Sequence, residues 1–362
     1  MRLSHPRSRS RTRRRRVAGA RLLICGAVLA LVAACGSGGA AESSGDRIRV
    51  APVSPSALWA HVWLAEELGY YKEENLDVEI VSNLSGGAVE NALMLGDLDF
   101  GGVNQSRLIP FRADKGEDVI KIFAPESKFV FRVMVAADSP VQTARDLVGK
   151  TIGINEAGGD EDNLAVMLNS EGIKRDQYKT LAVGGRATAG VALQSDRVDA
   201  YMGSYVDQDA IVRSGVQVRE IEIGDTKEFY NSGIAASTET LETRRDLAVR
   251  YGRAIAKAMI WEHENPEATI DILAEAVPEQ VQDRAGTLAL LKASNAINRP
   301  LFDARLRTDP AVWQTMITGL TEAGVIDQAL SPDSIVTNDL LDDIWNFDVA
   351  AVTAAARGND RS

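Results

Sequence analysis

The length, composition and charge of the chain limit its fold and its partners. The chain has 362 residues, 45% of them hydrophobic, and a formal charge of −11, which predicts about two domains with buried cores. Residues 35–362 hold 31 basic and 51 acidic side chains, or about −20 in all. A surface this acidic repels phosphate backbones, and no basic stripe interleaved with aromatic residues is present, so nucleic-acid binding is disfavoured.

The N-terminus has the layout of a signal peptide. Residues 1–34 carry nine arginines and no acid, and the apolar stretch 22–34 is shorter than the roughly 20 residues of a membrane-spanning helix. Small residues precede Cys35, and this junction resembles a bacterial lipobox. The resemblance implies cleavage before Cys35, a lipid on its thiol, and a flexible tether over residues 35–46.

We therefore expect an extracytoplasmic protein that is anchored to the cell membrane through Cys35. An ordinary secretory signal with a chance cysteine is the alternative, and the export route, general or twin-arginine, stays open. Cys25 lies inside the predicted signal, so only Cys35 would remain and no intramolecular disulfide would form.

The first elements alternate between strands and helices. In chain order we expect a strand at 48–50, a helix at 58–68, a strand at 76–80, a short helix at 86–95 and a strand at 98–103. The strand at 76–80 alternates apolar residues with Asp77 and Glu79, and Gly69 ends the helix before it. Strand–helix–strand units of this kind predict a parallel sheet.

A second set of elements follows the same plan. We expect a strand at 151–155, helices at 161–171 and 188–193, and a strand at 198–202. Two apolar runs, 129–137 and 233–236, are interpreted as crossovers between two lobes. Lobe I then comprises residues 47–135 and 236–350, lobe II residues 136–235, and residues 351–362 form a disordered tail.

The chain beyond Thr240 is predicted to be mostly helical and to pack back onto the first lobe. Its first long helix carries one apolar face, and Asn265 caps the next helix, whose first turn begins at Pro266. The residues of that apolar face are Leu247, Tyr251, Ala254, Ile255 and Ala258.

Five ordered motifs carry a resemblance over nearly the whole of residues 35–362. They are LAEELGYY at 64–71, NLDVEI at 75–80, GDLDFG at 96–101, DLVGKTIG at 146–153 and DRVDA at 196–200. Together they resemble the solute-binding lipoproteins of ABC transporters, in the branch that handles nitrate, sulfonates, taurine and pyrimidine precursors of thiamine.

This resemblance implies an α/β protein of the type II periplasmic-binding-protein fold: two α/β lobes joined by two crossovers, with the ligand cleft between them. It also implies capture of a small molecule, closure by a hinge motion, and delivery to a membrane permease driven by its ATPase. We expect a monomer without a cofactor. In open α/β sheets ligands bind at the carboxyl ends of strands, so the loops there are the candidate site.

Ten residues on these loops are candidate ligand contacts. Trp59 offers a flat face for stacking on a ring, although Trp59 and Trp63, at i and i+4, would also form a buried stripe. Asn104 and Gln105 can donate and accept hydrogen bonds, or lie in a surface loop. The full set is Trp59, Ser85, Gly86, Gly87, Asn104, Gln105, Gly159, Asp160, Tyr205 and Asp207.

Each of the remaining candidates also has a structural interpretation. The segment 85–87 offers backbone N–H groups and a hydroxyl to a ligand, or is a plain helix N-cap. Tyr205 and Asp207 could close a second wall of the cleft by stacking and by accepting from an N–H group. The alternatives are a core tyrosine and a surface aspartate.

Three acids crowd the predicted start of the helix at 161–171. Asp160, Glu161 and Asp162 would oppose a sulfonate or nitrate there, because a helix N-terminus that would otherwise attract an anion is already occupied by negative charge. A neutral or amino-bearing ligand is favoured, unless Glu161 and Asp162 only cap the helix and face solvent.

Departures from the family pattern leave the ligand open. Relatives that bind thiamine's pyrimidine precursor usually carry tryptophan where Val53 stands and histidine where Trp59 stands, although Pro55 matches. Sulfonate binders usually show Ser-Gly-Pro where this chain has Ser-Gly-Gly at 85–87. A pyrimidine-precursor-like ligand is the main hypothesis, and a nitrate-, sulfonate- or taurine-binding protein of the same fold is the alternative.

An enzyme is the main rival from another class. Some relatives make the thiamine pyrimidine from their own histidine, but here Trp59 occupies that position and no cysteine follows Cys35. His263-Glu264 lacks the second histidine of a zinc motif, and no Gly-x-Ser-x-Gly elbow is present. We predict no catalytic residue and no metal site. Whether the closed form feeds a permease or a sensor stays open.

Overall fold

The structure is a computed structural model that describes residues 45–359, except 55, 83, 85, 117, 118, 225 and 329. The predicted signal peptide, Cys35 and all but the last residues of the tether lie outside these described residues. The described residues all belong to one compact unit. No helix in residues 45–359 has the length and apolar composition that crossing a bilayer requires.

The first sheet has five strands in the order β2-β1-β3-β10-β4. Three of them are parallel, whereas β10 runs antiparallel to both of its neighbours, β3 and β4. The strands are β1 (Asp46–Ala51), β2 (Leu76–Ile80), β3 (Phe100–Asn104), β4 (Ile120–Lys128) and β10 (Tyr230–Ser237).

The second sheet repeats this arrangement in the order β7-β6-β8-β5-β9. Its strands are β5 (Phe131–Ala136), β6 (Thr151–Ile154), β7 (Lys179–Ala182), β8 (Ala200–Ser204) and β9 (Val218–Ile221). β6 is parallel to β7 and β8, and β5 is antiparallel to β8 and β9. The predicted common plan of the two halves is therefore present in the two sheets.

Helices pack around both sheets. In chain order they are α1 (Ala60–Glu67), α2 (Tyr70–Glu73), α3 (Gly86–Leu95), α4 (Gln105–Lys115), α5 (Gly159–Ser170), α6 (Ala187–Gln194), α7 (Tyr205–Arg213), α8 (Thr238–Thr243), α9 (Arg245–Glu264), α10 (Pro266–Ala276), α11 (Arg284–Asp303), α12 (Pro310–Glu322), α13 (Pro332–Ile335), α14 (Leu341–Ile344) and α15 (Val349–Gly358). Single 3-10 turns lie at Ala57–Trp59, Ala144–Leu147, Arg175–Gln177, Thr226–Glu228 and Pro278–Gln280.

The assignment of the strands to the two sheets shows that the predicted crossovers were misplaced. β4 belongs to the first sheet and β5 to the second, so the chain crosses at residues 129–130 and returns within residues 222–229. The predicted crossovers at 129–137 and 233–236 consist mostly of β5 and β10. These runs are apolar because both strands lie inside a sheet with both faces covered, not because they link lobes.

Lobe limits follow from this correction. The predicted boundaries at 135/136 and 235/236 cut through β5 and β10. Below, lobe II means residues 131–221, and lobe I means residues 46–128 and 230–358.

Most of the helical C-terminal part packs on lobe I, as predicted, but α12 also packs on α5 of lobe II, where Gly319 lies against Val166. α9 buries every residue of its predicted apolar face, and the Asn265 side chain accepts a hydrogen bond from the Ala268 amide at the start of α10. Tyr251 of α9 stacks on Phe100 of β3 with ring centroids 4.6 Å apart. This stack fixes the long helix against the central strands of the first sheet.

The predicted disordered tail from residue 351 is wrong over residues 351–358. α15 continues to Gly358, the Asp348 side chain accepts from the Ala351 amide at its N-terminus, and Ala356 is fully buried. The sequence of this helix is rich in alanine, the strongest helix former, and its small side chains allow close packing on α9.

We expect Phe100→Ala to lower the free energy of unfolding by about 3–5 kcal/mol, because it empties a fully buried position that supports α9. Chemical denaturation followed by circular dichroism measures this change. Leu95→Ala is the control: Leu95 is 69% exposed in the same lobe, so its loss should change the free energy of unfolding by less than about 0.5 kcal/mol. Equal effects of the two substitutions would contradict the described core.

Candidate ligand-binding site

A cavity of about 390 Å³ lies between the two lobes. Its walls come from the loops and helix starts that follow β1, β3, β6 and β8, that is, from the carboxyl ends of the parallel strands of both sheets. The volume suits a small molecule. The cleft that the fold implies is therefore present in this structure and is lined by both lobes.

Six of the ten predicted ligand contacts lie along this cavity. They are Trp59, Asn104, Gly159, Asp160, Tyr205 and Asp207. Gln105 does not line the cavity: it is buried and donates to the Asn163 side chain of lobe II at 3.1 Å. Gly87 is exposed on α3 and does not line it either, while Ser85 lies outside the described residues and of Gly86 only its place at the start of α3 is described.

Trp59 forms part of the lobe I wall because the strand beneath its ring has a glycine, Gly102, which carries no side chain. A Cβ atom at Gly102 of β3 would lie 2.6 Å from the Trp59 ring and 2.6 Å from the Val53 amide nitrogen. Glycine at this position allows the indole to lie directly against the strand. Trp59 and Trp63 are both 7% exposed and belong to the core of lobe I, so they form the buried stripe that the sequence allowed. Trp59 also lines the cavity, whereas Trp63 does not.

A histidine held between two glutamates forms the floor of the cavity. His61 of α1 lies 3.0 Å through Nε2 from the Glu126 carboxylate of β4 and 3.0 Å through Nδ1 from the Glu262 carboxylate of α9. All three side chains are buried and line the cavity. We call these residues the floor triad.

The electrostatics of the floor triad favour a charged ring. Burial lowers the pKa of His61, but the carboxylates of Glu126 and Glu262 outweigh this effect and raise that pKa to about 10. Burial raises the pKa of Glu126, and the opposing pull of the imidazolium lowers it in part. The imidazolium is therefore the form that the floor holds at neutral pH.

The sequence analysis assigned no role in the site to His61, Glu126 or Glu262. The three residues are far apart in the chain and meet only when α1, β4 and α9 pack together. One signal was available: each glutamate ends an apolar run, Phe123-Ala124-Pro125 before Glu126 and Ile260-Trp261 before Glu262. An acid in such a position needs a buried partner.

The lobe II wall is built from the first turns of α5 and α7. Asp207 accepts from the Ser204 amide at 2.9 Å and, through its other oxygen, from the Arg186 amide at 2.9 Å. Its carboxylate therefore caps α7 while it faces the cavity. Tyr205 contacts Ser294 of lobe I through its hydroxyl, and burial raises the pKa of Tyr205.

Of the three acids at the start of α5, only Asp160 faces the cavity. Asp160 accepts from the Glu156 amide at 3.1 Å, and burial raises the pKa of Asp160. Glu161 accepts from the Thr180 hydroxyl at 2.8 Å, and Asp162 lies 3.8 Å from Arg175, on the side away from the cavity.

Polar contacts join the lobes across the cleft. Arg107 of α4 donates to Glu156 at 2.6 Å, and Arg213 of α7 donates to Asp283 at 2.9 Å beside α11. The Gln105–Asn163 hydrogen bond is a third such contact. These contacts hold the two lobes against each other beside the cavity.

This architecture, with a cavity closed between two α/β lobes at the carboxyl ends of their strands, is that of the periplasmic-binding-protein fold. The fold prediction is confirmed by a solved structure, the periplasmic aliphatic sulphonate binding protein SsuA from Escherichia coli, which matches 81% of this chain and 92% of its own at a TM-score of 0.60 and 17% identity. The chain belongs to the NMT1/THI5 like family, whose model matches residues 58–269.

Two curated relatives have different activities by name. The formylaminopyrimidine-binding protein of Halalkalibacterium halodurans is 24% identical over 285 residues, which cover 76% of this chain and 84% of that protein. The 4-amino-5-hydroxymethyl-2-methylpyrimidine phosphate synthase of Legionella pneumophila is 25% identical over 226 residues, which cover 60% and 69%. The relatives thus include a binding protein and an enzyme.

The two histidines of residues 36–362 should titrate very differently. The folded pKa of His61, about 10, lies above its usual 6.5, so its charge stabilises the fold fully below pH 6.5 and this stabilisation is lost as the pH rises through about 10. Burial lowers the pKa of His263, so that ring should be neutral at pH 7.

Nitrogen-15 NMR of the histidine side chains over this pH range measures both rings, and His263→Gln assigns the signals. We expect one imidazolium that persists beyond about pH 9. A His61 ring that titrates near its usual pKa would contradict the described floor triad.

Proposed function

We propose that the protein is the extracytoplasmic solute-binding component of an ABC importer. The observation that carries this proposal is the cavity of about 390 Å³ that both lobes enclose, with aromatic and polar side chains on its walls. In such a fold, closure of two lobes around a ligand creates a form that a membrane permease can recognise. The family and the SsuA-like fold support the same role.

The ligand that we propose is a small polar or heteroaromatic molecule, neutral or amino-bearing, of the pyrimidine-precursor type. Trp59 and Tyr205 present aromatic surface from opposite lobes, which suits a flat ring. Carboxylates dominate the charge of the cavity, which suits N–H donors. The named ligand of one relative, formylaminopyrimidine, has both features.

A nitrate-, sulfonate- or taurine-binding protein is the second candidate, because SsuA shares the fold. The charges of the cavity count against it. Arg107 is the lone arginine or lysine among the described lining residues, and its guanidinium is paired with Glu156 at 2.6 Å. An anion in the cavity would meet five carboxylates and two cations, the His61 imidazolium and the Arg107 guanidinium, both of which are already paired with carboxylates.

Binding without catalysis also accounts better for His61 than an enzyme does. A catalytic histidine needs a ring nitrogen that can exchange a proton with the substrate. Both ring nitrogens of His61 face carboxylates at 3.0 Å, so neither is available without breaking an ion pair. His61 in this chain is therefore not placed to act as a catalytic histidine, and we do not infer the activity of the related synthase for this protein.

The remaining parts of the proposal concern the partners. We propose a monomer held at the membrane by a lipid on Cys35, which presents its closed form to a permease and its ATPase. A receptor that senses the closed form is the alternative partner. The mass of the membrane-extracted protein tests the anchor, since a diacylglyceryl group on Cys35 would be measured directly.

Thermal unfolding of residues 36–362 against aminopyrimidines, riboflavin, simple amines, alkanesulfonates, taurine and nitrate tests the proposed ligand class. A compound at one hundred times its Kd adds about 2.7 kcal/mol to the folded state, which raises the midpoint by a few degrees. We expect shifts from heteroaromatic or amino compounds. Shifts from sulfonates or nitrate alone would contradict the proposed class.

A matched pair of tryptophan substitutions tests the place of binding. Trp59→Ala removes a cavity wall and should weaken binding of the shifting compound about tenfold, since a stacked ring contributes about 0.5–1.5 kcal/mol beyond its buried area. Trp63→Ala empties the adjacent core position and should lower the unfolding midpoint but leave the affinity within about threefold. Calorimetric titration measures both, and equal losses of affinity would place the ligand elsewhere.

A further inference from the structure

We propose that the contact between α5 and α12 is the pivot of the lobe movement, a third part of the hinge beside the two crossovers, and that the contact between α5 and α4 is the one that opens. The inference goes beyond the proposed function, because it concerns how lobe II is carried, whatever the ligand is. It makes Val166 and Gly319 positioning residues for Asp160 at the start of α5, although neither residue lines the cavity.

One face of α5 contacts lobe I along most of the helix. The residues of this face, three or four positions apart, are Gly159, Asn163, Val166 and Asn169. The first two contact α4, and the last two contact α12. A single rigid helix of lobe II thus joins lobe I at two places.

The contact between α5 and α12 is close and largely apolar. A Cβ atom at Gly319 would lie 3.0 Å from Cγ1 of Val166, so the helices touch where α12 has no side chain. Glycine inside a helix destabilises it relative to alanine, and this close approach gives a reason for glycine here. Val166 is 9% exposed and belongs to the hydrophobic core of lobe I, although its helix belongs to lobe II. Separation would expose apolar surface to water, which disfavours it.

This contact lies beside the returning crossover. At the end of α5, Glu171 accepts from the amide of Gly224, within residues 222–229, at 2.8 Å. On the lobe I side, Trp313 of α12 stacks on Tyr230, the first residue of β10, with ring centroids 5.3 Å apart. Parts of a molecule that lie close to a hinge move little when its lobes rotate. The contact between α5 and α12 can therefore persist while lobe II turns.

The contact between α5 and α4 is polar and lies at the other end of the helix. The first residue of α5 is about 16 Å from the last, at 1.5 Å per residue, so the same rotation moves it further. The Arg107–Glu156 pair beside it has side chains 35% and 60% exposed, and ion pairs this exposed contribute little to stability. Asn163 accepts from Gln105, but its Nδ2 atom is buried without a hydrogen-bond partner among the described residues. Water would supply a partner once the helices separate.

Another contact between the lobes fits the same movement. Arg213 of α7 and Asp283 form an ion pair whose side chains are 45% and 66% exposed. Rotation about the crossovers and α12 thus breaks exposed polar contacts and keeps the apolar one. Asp160, at the moving end of α5, lines the cavity, so the pivot sets its distance from the lobe I wall.

Two engineered disulfides test the inference, because residues 36–362 contain no cysteine. Val166→Cys with Gly319→Cys joins α5 to α12, and Ser106→Cys with Gly159→Cys joins α5 to α4. A Cβ atom at Gly319 would lie 4.0 Å from that of Val166, and one at Gly159 would lie 3.9 Å from that of Ser106. Both distances suit a disulfide, so the two variants are matched in geometry.

Small-angle X-ray scattering of each variant of residues 36–362, oxidised and reduced and without ligand, measures the separation of the lobes. We expect oxidation of the α5–α12 pair to leave the radius of gyration unchanged, because a pivot does not separate. Oxidation of the α5–α4 pair should lower the radius of gyration, because it removes the open forms. Mass spectrometry verifies that each disulfide has formed.

Gly319→Leu tests the pivot without a cross-link. A leucine side chain between the helices should tilt α5 away from lobe I and raise the radius of gyration, while circular dichroism stays that of the folded protein. Thr318→Leu is the control, because Thr318 is exposed on the same helix and its substitution should leave the radius unchanged. If Gly319→Leu does not fold, Gly319→Ala tests the same point, because its Cβ atom already meets Val166.

Three results would overturn the inference. A smaller radius of gyration after oxidation of the α5–α12 pair would show that this contact opens. An unchanged radius after oxidation of the α5–α4 pair would show that the contact with α4 does not open, and an unchanged radius in a folded Gly319→Leu would show that α12 does not position α5. Each of these results leaves the solute-binding role standing, because thermal unfolding with the compound panel tests that role separately.

Discussion

A positive charge buried between two negative ones is the constraint on which the lobe I side of the cleft depends. An imidazolium away from water is stabilised by nearby carboxylates. Here Nδ1 of His61 is hydrogen-bonded to Glu262 and Nε2 lies 3.0 Å from Glu126, so α1, α9 and β4 each contribute one charge. The three elements must therefore pack in one register. The same requirement gives the cavity a rigid floor, because moving any one element would leave a charge unpaired.

The two lobes contribute different kinds of surface. Lobe I presents side chains locked by ion pairs and by the close contact of Trp59 with Gly102. Lobe II presents the first turns of α5 and α7, where carboxylates are engaged by backbone amides. The cavity therefore lies between a lobe I floor held by ion pairs and a lobe II wall formed by helix N-termini.

Local patterns predicted most of the fold, and packing determined the rest. Strands and helices follow from apolar periodicity, which depends on near neighbours, and the cleft loops follow from parallel strand order. The triad could not be predicted this way, because His61, Glu126 and Glu262 meet only through tertiary packing. The crossovers were misplaced because β5 and β10, apolar on both faces, look like any continuous apolar run. The tail was misjudged because alanine-rich sequence also occurs in linkers.

The position of Glu126 near the end of β4 has a consequence for how such a protein can change its ligand over evolution. Glu126 and Ser127 line the cavity, and the chain leaves lobe I only two residues later, at 129–130. Substitutions there would alter ligand preference and lobe movement together, so selection would act on both at once. Tyr205, at the start of a helix in lobe II, shares that coupling, because its amide donates to the Val130 carbonyl at 3.2 Å. Divergence among relatives that leaves the lobe movement unchanged should therefore accumulate first at Asp160, whose hydrogen bond to the Glu156 amide lies within lobe II.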